Sequence, residues 1–407
     1  MLFVTRLHCK FILKKEGVDN VSNVDKLEKE IQIISLKSNQ SINESNLMVI
    51  PFVSMSKTKV SILERTWESK GVERGIKVVG SAEHGCPTIQ ELDVMLGLFR
   101  ILIKNVGFKY EYNKTTGKVN LPKVINFTFQ ELSKELGYKT YGGALKKKLE
   151  NSIKCLNEAT MYSNFALRDA EIGEYIYDYN KEESFRIIEK YVSYSYKNKR
   201  KRGEKIGNST QVKEGQSVEI SDFFFNSICN NYFKIYNYGN YISLTKGLSK
   251  KLYLLLTQWS KGYEKYLTYK VLYDMLSLDV VDSKKEYYYN RLIKEALDEL
   301  VKIGFIQGYE VKRGEGIVFI FNNTKRLSSK YLDKYNTQEE VITRLQCIGF
   351  NIDDLARYYT KDNERYLKGV LRYTDFRIAN RKDVVNEAEF IKTALDRGDY
   401  NVSDFLD

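Results

Sequence analysis

Thr128-Phe129-Gln130-Glu131-Leu132-Ser133-Lys134-Glu135-Leu136 has a counterpart 140 positions later, Thr268-Tyr269-Lys270-Val271-Leu272-Tyr273-Asp274-Met275-Leu276. Thr, Leu and Leu hold the same places in both. The spacing predicts a short helix with two leucines on one face, behind a threonine able to cap its start. A second helical stripe follows each stretch. It is Leu145, Leu149, Ile153 and Leu156 in the first, and Tyr289, Ile293, Leu297 and Leu300 in the second, now offset by 144. The four additional residues are expected in the turn between the helices, where insertions are tolerated. The pattern is a degenerate internal repeat.

The repeat extends outward on both sides. Upstream of the first copy, Gly85-Cys86-Pro87-Thr88 opens a helix with Glu91 in its first turn and Ile89, Leu92, Leu96, Phe99, Leu102 and Ile103 at helical spacing. Upstream of the second, Leu252, Leu255, Leu256 and Trp259 line a helix over 248–259. Downstream, strands are predicted at 160–167, 174–179 and 185–195. After the second copy a hairpin over 307–321 turns at Arg313-Gly314-Glu315-Gly316. Three helices and then a β-hairpin, twice, is the pattern of a winged helix, a helix-turn-helix with a wing. The fold class expected is therefore α+β, with tandem winged-helix domains and a small helical C-terminal unit.

The remaining stretches complete the division. A helix is expected over 24–34, with strands at 47–53, 60–67 and 75–80 and a hairpin over 106–126. Residues 197–205 carry six positive charges in nine and read as a hydrophilic loop or a boundary between halves. Residues 336–407 suggest four helices. The domains expected are 1–84 (an N-terminal extension packing on the first winged helix), 85–196, a basic linker at 197–215, 216–330, and 336–407.

Composition excludes several classes. The chain has 407 residues, and 31 Tyr, 20 Phe and 2 Trp are far too many aromatics for a disordered chain. No apolar run approaches the roughly 20 residues of a membrane span. The start is broken by Arg6, His8, Lys10, Lys14 and Lys15, unlike a clean signal peptide. Cys9, Cys86, Cys155, Cys229 and Cys347 are scattered and odd in number, suggesting a reducing cytoplasm. Only His8 and His84 are present, so no histidine-rich metal site is expected, and no cofactor is called for. Lys and Arg exceed Asp and Glu by 12 with a pI near 9.1, a balance suited to meeting phosphates.

In a winged helix the third helix enters the major groove and the wing lies along the backbone. Away from its apolar stripe the first such helix and the turn before it carry Lys139, Thr140, Tyr141, Lys146, Lys147 and Asn151. Gly142 and Gly143 would let its N-terminus approach a phosphate. The second carries Lys284, Lys285, Tyr287, Tyr288, Asn290, Arg291 and Lys294, with Lys312 and Arg313 at the wing tip. Arg and Asn pair bidentately with guanine and adenine. The run Lys199-Arg200-Lys201-Arg202 supplies further cations, although such runs are more often solvated loops. Each basic helix face taken alone is more often simply solvated too. Catalytic signals are weak. There is no phosphate-binding loop and no nucleophile elbow. Asp353-Asp354 reads as a helix cap and His84 as a turn residue, and Tyr287-Tyr288-Tyr289 has no histidine metal site beside it. The chain is not expected to be an enzyme.

Leu47-Met48-Val49-Ile50-Pro51-Phe52-Val53, then Gly80, then Gly85-Cys86-Pro87-Thr88-Ile89-Gln90-Glu91-Leu92-Asp93-Val94 resembles the N-terminal part of plasmid replication initiators of the RepA type. Glu91-Leu92-Asp93 stands where those proteins have a doubled acid. Val384-Val385-Asn386-Glu387-Ala388-Glu389-Phe390-Ile391-Lys392-Thr393-Ala394-Leu395 is similar to the tail of such proteins, with Glu387 in place of a proline. The resemblance implies binding to repeats (iterons) in double-stranded DNA at a plasmid origin, local melting of A·T-rich DNA, and recruitment of the host initiator and helicase. It also implies a homodimer that represses its own gene and a monomer that starts replication. A winged-helix transcription regulator and a nicking enzyme acting through a tyrosine are the alternatives.

Overall fold

The structure, a computed structural model, describes residues 30–56, 58–69, 71–176, 184–196, 213–262, 264–321, 331–332, 334–360, 363–380, 384, 386–397 and 405. First come β1 (Ile31–Ser35), β2 (Gln40–Glu44), α1 (Ser45–Val49), β3 (Ile62–Ser69) and β4 (Val72–Val79). They are followed by α2 (Ile89–Asn105), β5 (Lys109–Asn113), β6 (Val119–Asn120), β7 (Val124–Phe127), α3 (Phe129–Glu135), α4 (Gly143–Glu158), β8 (Thr160–Asn164), β9 (Ile188–Tyr196) and β10 (Lys213–Ile220). Next are α5 (Asp222–Cys229), β11 (Phe233–Asn237), α6 (Tyr238–Ser243), α7 (Gly247–Thr257), β12 (Glu264–Thr268), α8 (Tyr269–Met275), α9 (Ser283–Lys302), β13 (Ile306–Lys312) and β14 (Gly316–Phe321). The last are α10 (Gln338–Cys347), α11 (Ile352–Tyr358), α12 (Glu364–Asn380) and α13 (Glu387–Arg397).

The chain divides into two compact units: Met1–Ser45, Lys59–Ile62 and Val78–Tyr238 form one, and Asn46–Thr58, Leu63–Lys77 and Gly239–Asp407 the other. Both contain the same series: helix, strand, helix, helix, strand, strand. In the first it is α2, β7, α3, α4, β9 and β10, with strand order β7-β10-β9. In the second it is α7, β12, α8, α9, β13 and β14, with strand order β12-β14-β13. The last strand lies in the middle both times, as in a winged helix.

In the first unit α2 starts from a capping box in which Thr88 and Glu91 satisfy each other's backbone amides. Its core face buries Leu92, Leu96, Phe99, Leu102 and Ile103. Gly97 permits the close approach of α3: a Cβ there would lie 2.9 Å from Leu132 Cδ1 and 3.1 Å from Leu136 Cδ2. Thr128 and Thr268 cap α3 and α8 from matching positions, and Leu132 and Leu272 are both fully buried. The stripes agree too, since Leu149, Ile153 and Leu156 are buried in α4 as Ile293, Leu297 and Leu300 are in α9. The four additional residues are not in the turn, however. The connections are residues 136–142 and 276–282, while α4 has 16 residues and α9 has 20. The insertion is one more helical turn at the N-terminus of α9, started by the Asp282 cap.

Other expectations are corrected as well. Residues 31–35 form a strand, not the end of a helix, because β1 pairs antiparallel with β5. Residues 45–49 form a helix where a strand was expected at 47–53. That apolar run is buried almost all round, and a run buried on every side has no period to separate helix from strand. The first wing is not a hairpin formed among the strands expected at 160–167, 174–179 and 185–195. β9 pairs with β10 from Lys213↔Tyr196 to Ile220↔Ile188, and β10 also pairs with β7. Residues 197–212, most of the expected basic linker at 197–215, lie outside the described residues. Residues 46–58 and 63–77, expected to pack on the first winged helix, belong to the second unit.

In the second unit Lys251 of α7 is fully buried and its Nζ donates to Ile50 O at 2.8 Å, below the Phe52 ring. Helices α10–α13 enclose a separate cluster of Val341, Leu345, Phe350, Leu367, Leu371 and Ile391. Asp354 completes the capping box with Asn351, the role expected of the acidic pair. The second wing is sensitive at Gly316, paired with Thr268. A Cβ at Gly316 would lie 2.2 Å from Leu267 O and 2.8 Å from Thr268 Cα, both backbone atoms. Gly316→Ala is expected to destabilise the second unit by about 3 kcal/mol, read as a lower urea midpoint.

Candidate nucleic-acid interface

The outward face of α9 lies opposite its buried stripe of Ile293, Ala296, Leu297 and Leu300. At 100° per residue, Lys284, Tyr287, Tyr288, Arg291 and Lys294 share that face, and all five are exposed. Lys285 is exposed on one flank. Arg291 lies over the Tyr288 ring at 5.7 Å and its Nη1 reaches Glu295 at 3.2 Å. Glu295 also holds Lys246 at 2.8 Å, so its charge stays compensated when Arg291 turns away. Those cations hold the Glu295 carboxyl below its usual range, the Lys246 hydrogen bond first.

Asn290 sits differently. It is half-buried and its Oδ1 accepts a 2.7 Å hydrogen bond from the Tyr273 hydroxyl. A bidentate adenine contact needs that oxygen as well as the amide nitrogen. Asn290 is therefore a link between α8 and α9.

In α4 the buried residues Leu149, Ser152, Ile153 and Leu156 leave Lys147, Asn151 and Lys154 on the opposite side. Lys147 is exposed, and Asn151 and Lys146 are half-buried. Lys148 and Lys154, not singled out from the sequence, also reach solvent on this helix; Lys154 pairs with Glu150 at 3.0 Å. The signal for Lys154 was its spacing of seven from Lys147. Lys139, Thr140 and Tyr141 are exposed in the turn before α4. Gly142 caps α4 without a side-chain hydrogen bond, and open space surrounds it. The first amides of α4 thus face outward, and a helix N-terminus favours an anion. With the buried stripes superimposed, Lys147 occupies the place of Arg291, and Gly143 that of Tyr287.

On the second wing Lys312 Nζ lies 5.0 Å above the Tyr266 ring, which fixes its stem while the charge remains exposed. Arg313 is exposed at the turn, where Gly314 takes φ of 76°. Lys199, Arg200, Lys201 and Arg202 lie outside the described residues. Among the described residues no group of three or more His, Cys, Asp or Glu could hold a metal ion, and no helix is long and apolar enough to cross a membrane.

Two units thus repeat one series of helices and strands, each with exposed cations on its third helix opposite a buried apolar stripe. The chain belongs to the replication initiator protein A family, whose model matches residues 42–273. It functions in the initiation of DNA replication. Solved structures with similarity include domains 2 and 3 of RctB, at 14% identity and a TM-score of 0.41, covering 68% of this chain and 97% of that one. The Pi initiator protein in complex with iteron DNA is 14% identical with a TM-score of 0.33, covering 65% of this chain and 99% of that one. No sequence among the curated proteins matches the chain.

Proposed function

We propose that the chain is a plasmid replication initiator that binds repeated origin sites in double-stranded DNA, promotes local melting and recruits host replication proteins. The observation that carries this is the doubling: α4 and α9 each expose a cationic face opposite a buried apolar stripe. In this reading α4 and α9 enter major grooves. Lys147, Lys148, Lys154 and Arg291 face base edges or phosphates there, with Lys139, Thr140 and Tyr141 beside them. Lys284, Lys285 and Lys294 take phosphates, and Lys312 and Arg313 hold the backbone along the wing. Joining two modules on one chain raises affinity through effective concentration. Bending or opening A·T-rich DNA costs a few kcal/mol, offset by binding to several repeats together.

The proposal is tested by titrating full-length protein with duplexes from the DNA flanking its gene and with random duplexes, at several salt concentrations. Tighter binding to the flanking DNA is expected. Lys312→Ala is expected to weaken both alike and to reduce the salt slope by about 1, as loss of one phosphate contact does. Equal affinity for flanking and random DNA overturns the proposal. So does a covalent 5′-phosphotyrosine adduct on supercoiled origin DNA with Mg²⁺.

A further inference from the structure

We infer that Tyr287 reads a thymine methyl group in the major groove, so that the second unit selects a thymine close to the base contacted by Arg291. This rests on α9 being a groove-reading helix, as proposed above. Three consecutive tyrosines begin this helix, and the structure separates them. Tyr289 is half-buried on the core side, at the place of Leu145. Tyr288 is 47% exposed, and its ring already meets the Arg291 guanidinium and the Tyr289 ring. Tyr287 is 75% exposed. Among the described residues no ring or cation stacks on it, so its ring is not used in folding.

Its position gives the exposure a use. The N-terminal residues of a recognition helix are the ones that meet base edges. Tyr287 is in that part of α9, just beyond the additional turn that α4 lacks, and its counterpart in α4 is Gly143. The two units therefore present different tips, a bare backbone in one and an aromatic ring in the other. The face of a tyrosine ring is apolar, and the apolar feature of the major groove is the thymine methyl. Tyr287 precedes Arg291 by four residues, a rise of about 6 Å, which lies between one and two base steps of about 3.4 Å. The thymine is expected one or two base pairs from the guanine that Arg291 pairs with.

The probe is a duplex selected by full-length protein from a random double-stranded library, remade with deoxyuridine in place of each thymine in turn. Removal of one methyl is expected to weaken wild-type binding about fourfold, since a buried methyl contributes about 0.8 kcal/mol. Tyr287→Ala is expected to bind the thymine and uracil duplexes equally. Tyr287→Phe keeps the discrimination, because the ring and not the hydroxyl makes the contact. Arg291→Ala keeps it as well while losing affinity. A selected duplex indifferent to every methyl, or a Tyr287→Ala variant that still discriminates, overturns the inference and leaves α9 as a reading helix. A library that yields no preferred duplex overturns the reading of α9, and the inference with it.

Discussion

Arg291→Ala is expected to lower affinity for the cognate duplex by about 1–3 kcal/mol, about fivefold to more than a hundredfold, and to relax preference at one base position. Binding to random DNA is expected to change far less. The reasoning starts from the fold. Arg291 lies on the exposed side of α9, away from Ile293, Leu297 and Leu300, so its removal opens no cavity. Alanine is the best helix former. The pair with Glu295 is solvent-exposed and contributes little, and Glu295 keeps Lys246. Loss of binding in a variant that melts like the wild type then reports the contact itself. Competition titrations against cognate and random duplexes measure it. Equal losses on both would show that Arg291 meets a phosphate and that another residue of α9 does the reading.

Lys251 is expected to make the second unit more stable as pH rises from 7 to 9, by on the order of 2 kcal/mol. Its amine is fully buried and faces a carbonyl and a ring, not a carboxylate. Burial lowers its pKa to about 7. In the unfolded chain the amine titrates near its ordinary 10.4. Between about pH 7 and 10.4 the unfolded state therefore holds a proton that the folded state has released. Raising the pH removes this advantage of the unfolded state, and stability increases. Below pH 7 both states are protonated and the effect levels off. Lys251→Met keeps the volume and removes the titration. Urea midpoints at pH 7 and 9 are expected to rise in the wild type and to differ much less in Lys251→Met. Parallel pH dependence in the two would contradict a neutral buried lysine. Since Nζ binds Ile50 O, the same residue ties the 46–58 segment to α7.

Helical period made the repeat legible. Thr128 with Leu132 and Thr268 with Leu272 signal their own caps and cores, and the stripes of α4 and α9 need only local spacing. What escaped depends on distant partners. β1 is a strand because residues 109–113 pair with it, and nothing within 31–35 says so. The first wing is closed by strands on either side of 197–212, so the local hairpin signal pointed elsewhere. Asn290 reads as a base-contacting side chain until Tyr273, on another helix, takes its oxygen. The longer α9 did have a local signal: Asp282 before Ser283-Lys284-Lys285 is a capping sequence, and Asp282 accepts from the Lys285 amide at 2.7 Å. Lys251 carries no sequence signal, because beside Lys250 in the sequence nothing separates it from a solvated lysine, and only in three dimensions does it show no carboxylate beside it.

The most direct test is a footprint of the full-length protein on the DNA flanking its own gene, at about 150 mM salt with competitor DNA present. Regularly spaced protected repeats are expected, each losing protection with Arg291→Ala. Protection of a single short operator, or only general binding that disappears with salt, would contradict an initiator that reads repeated sites through two winged helices.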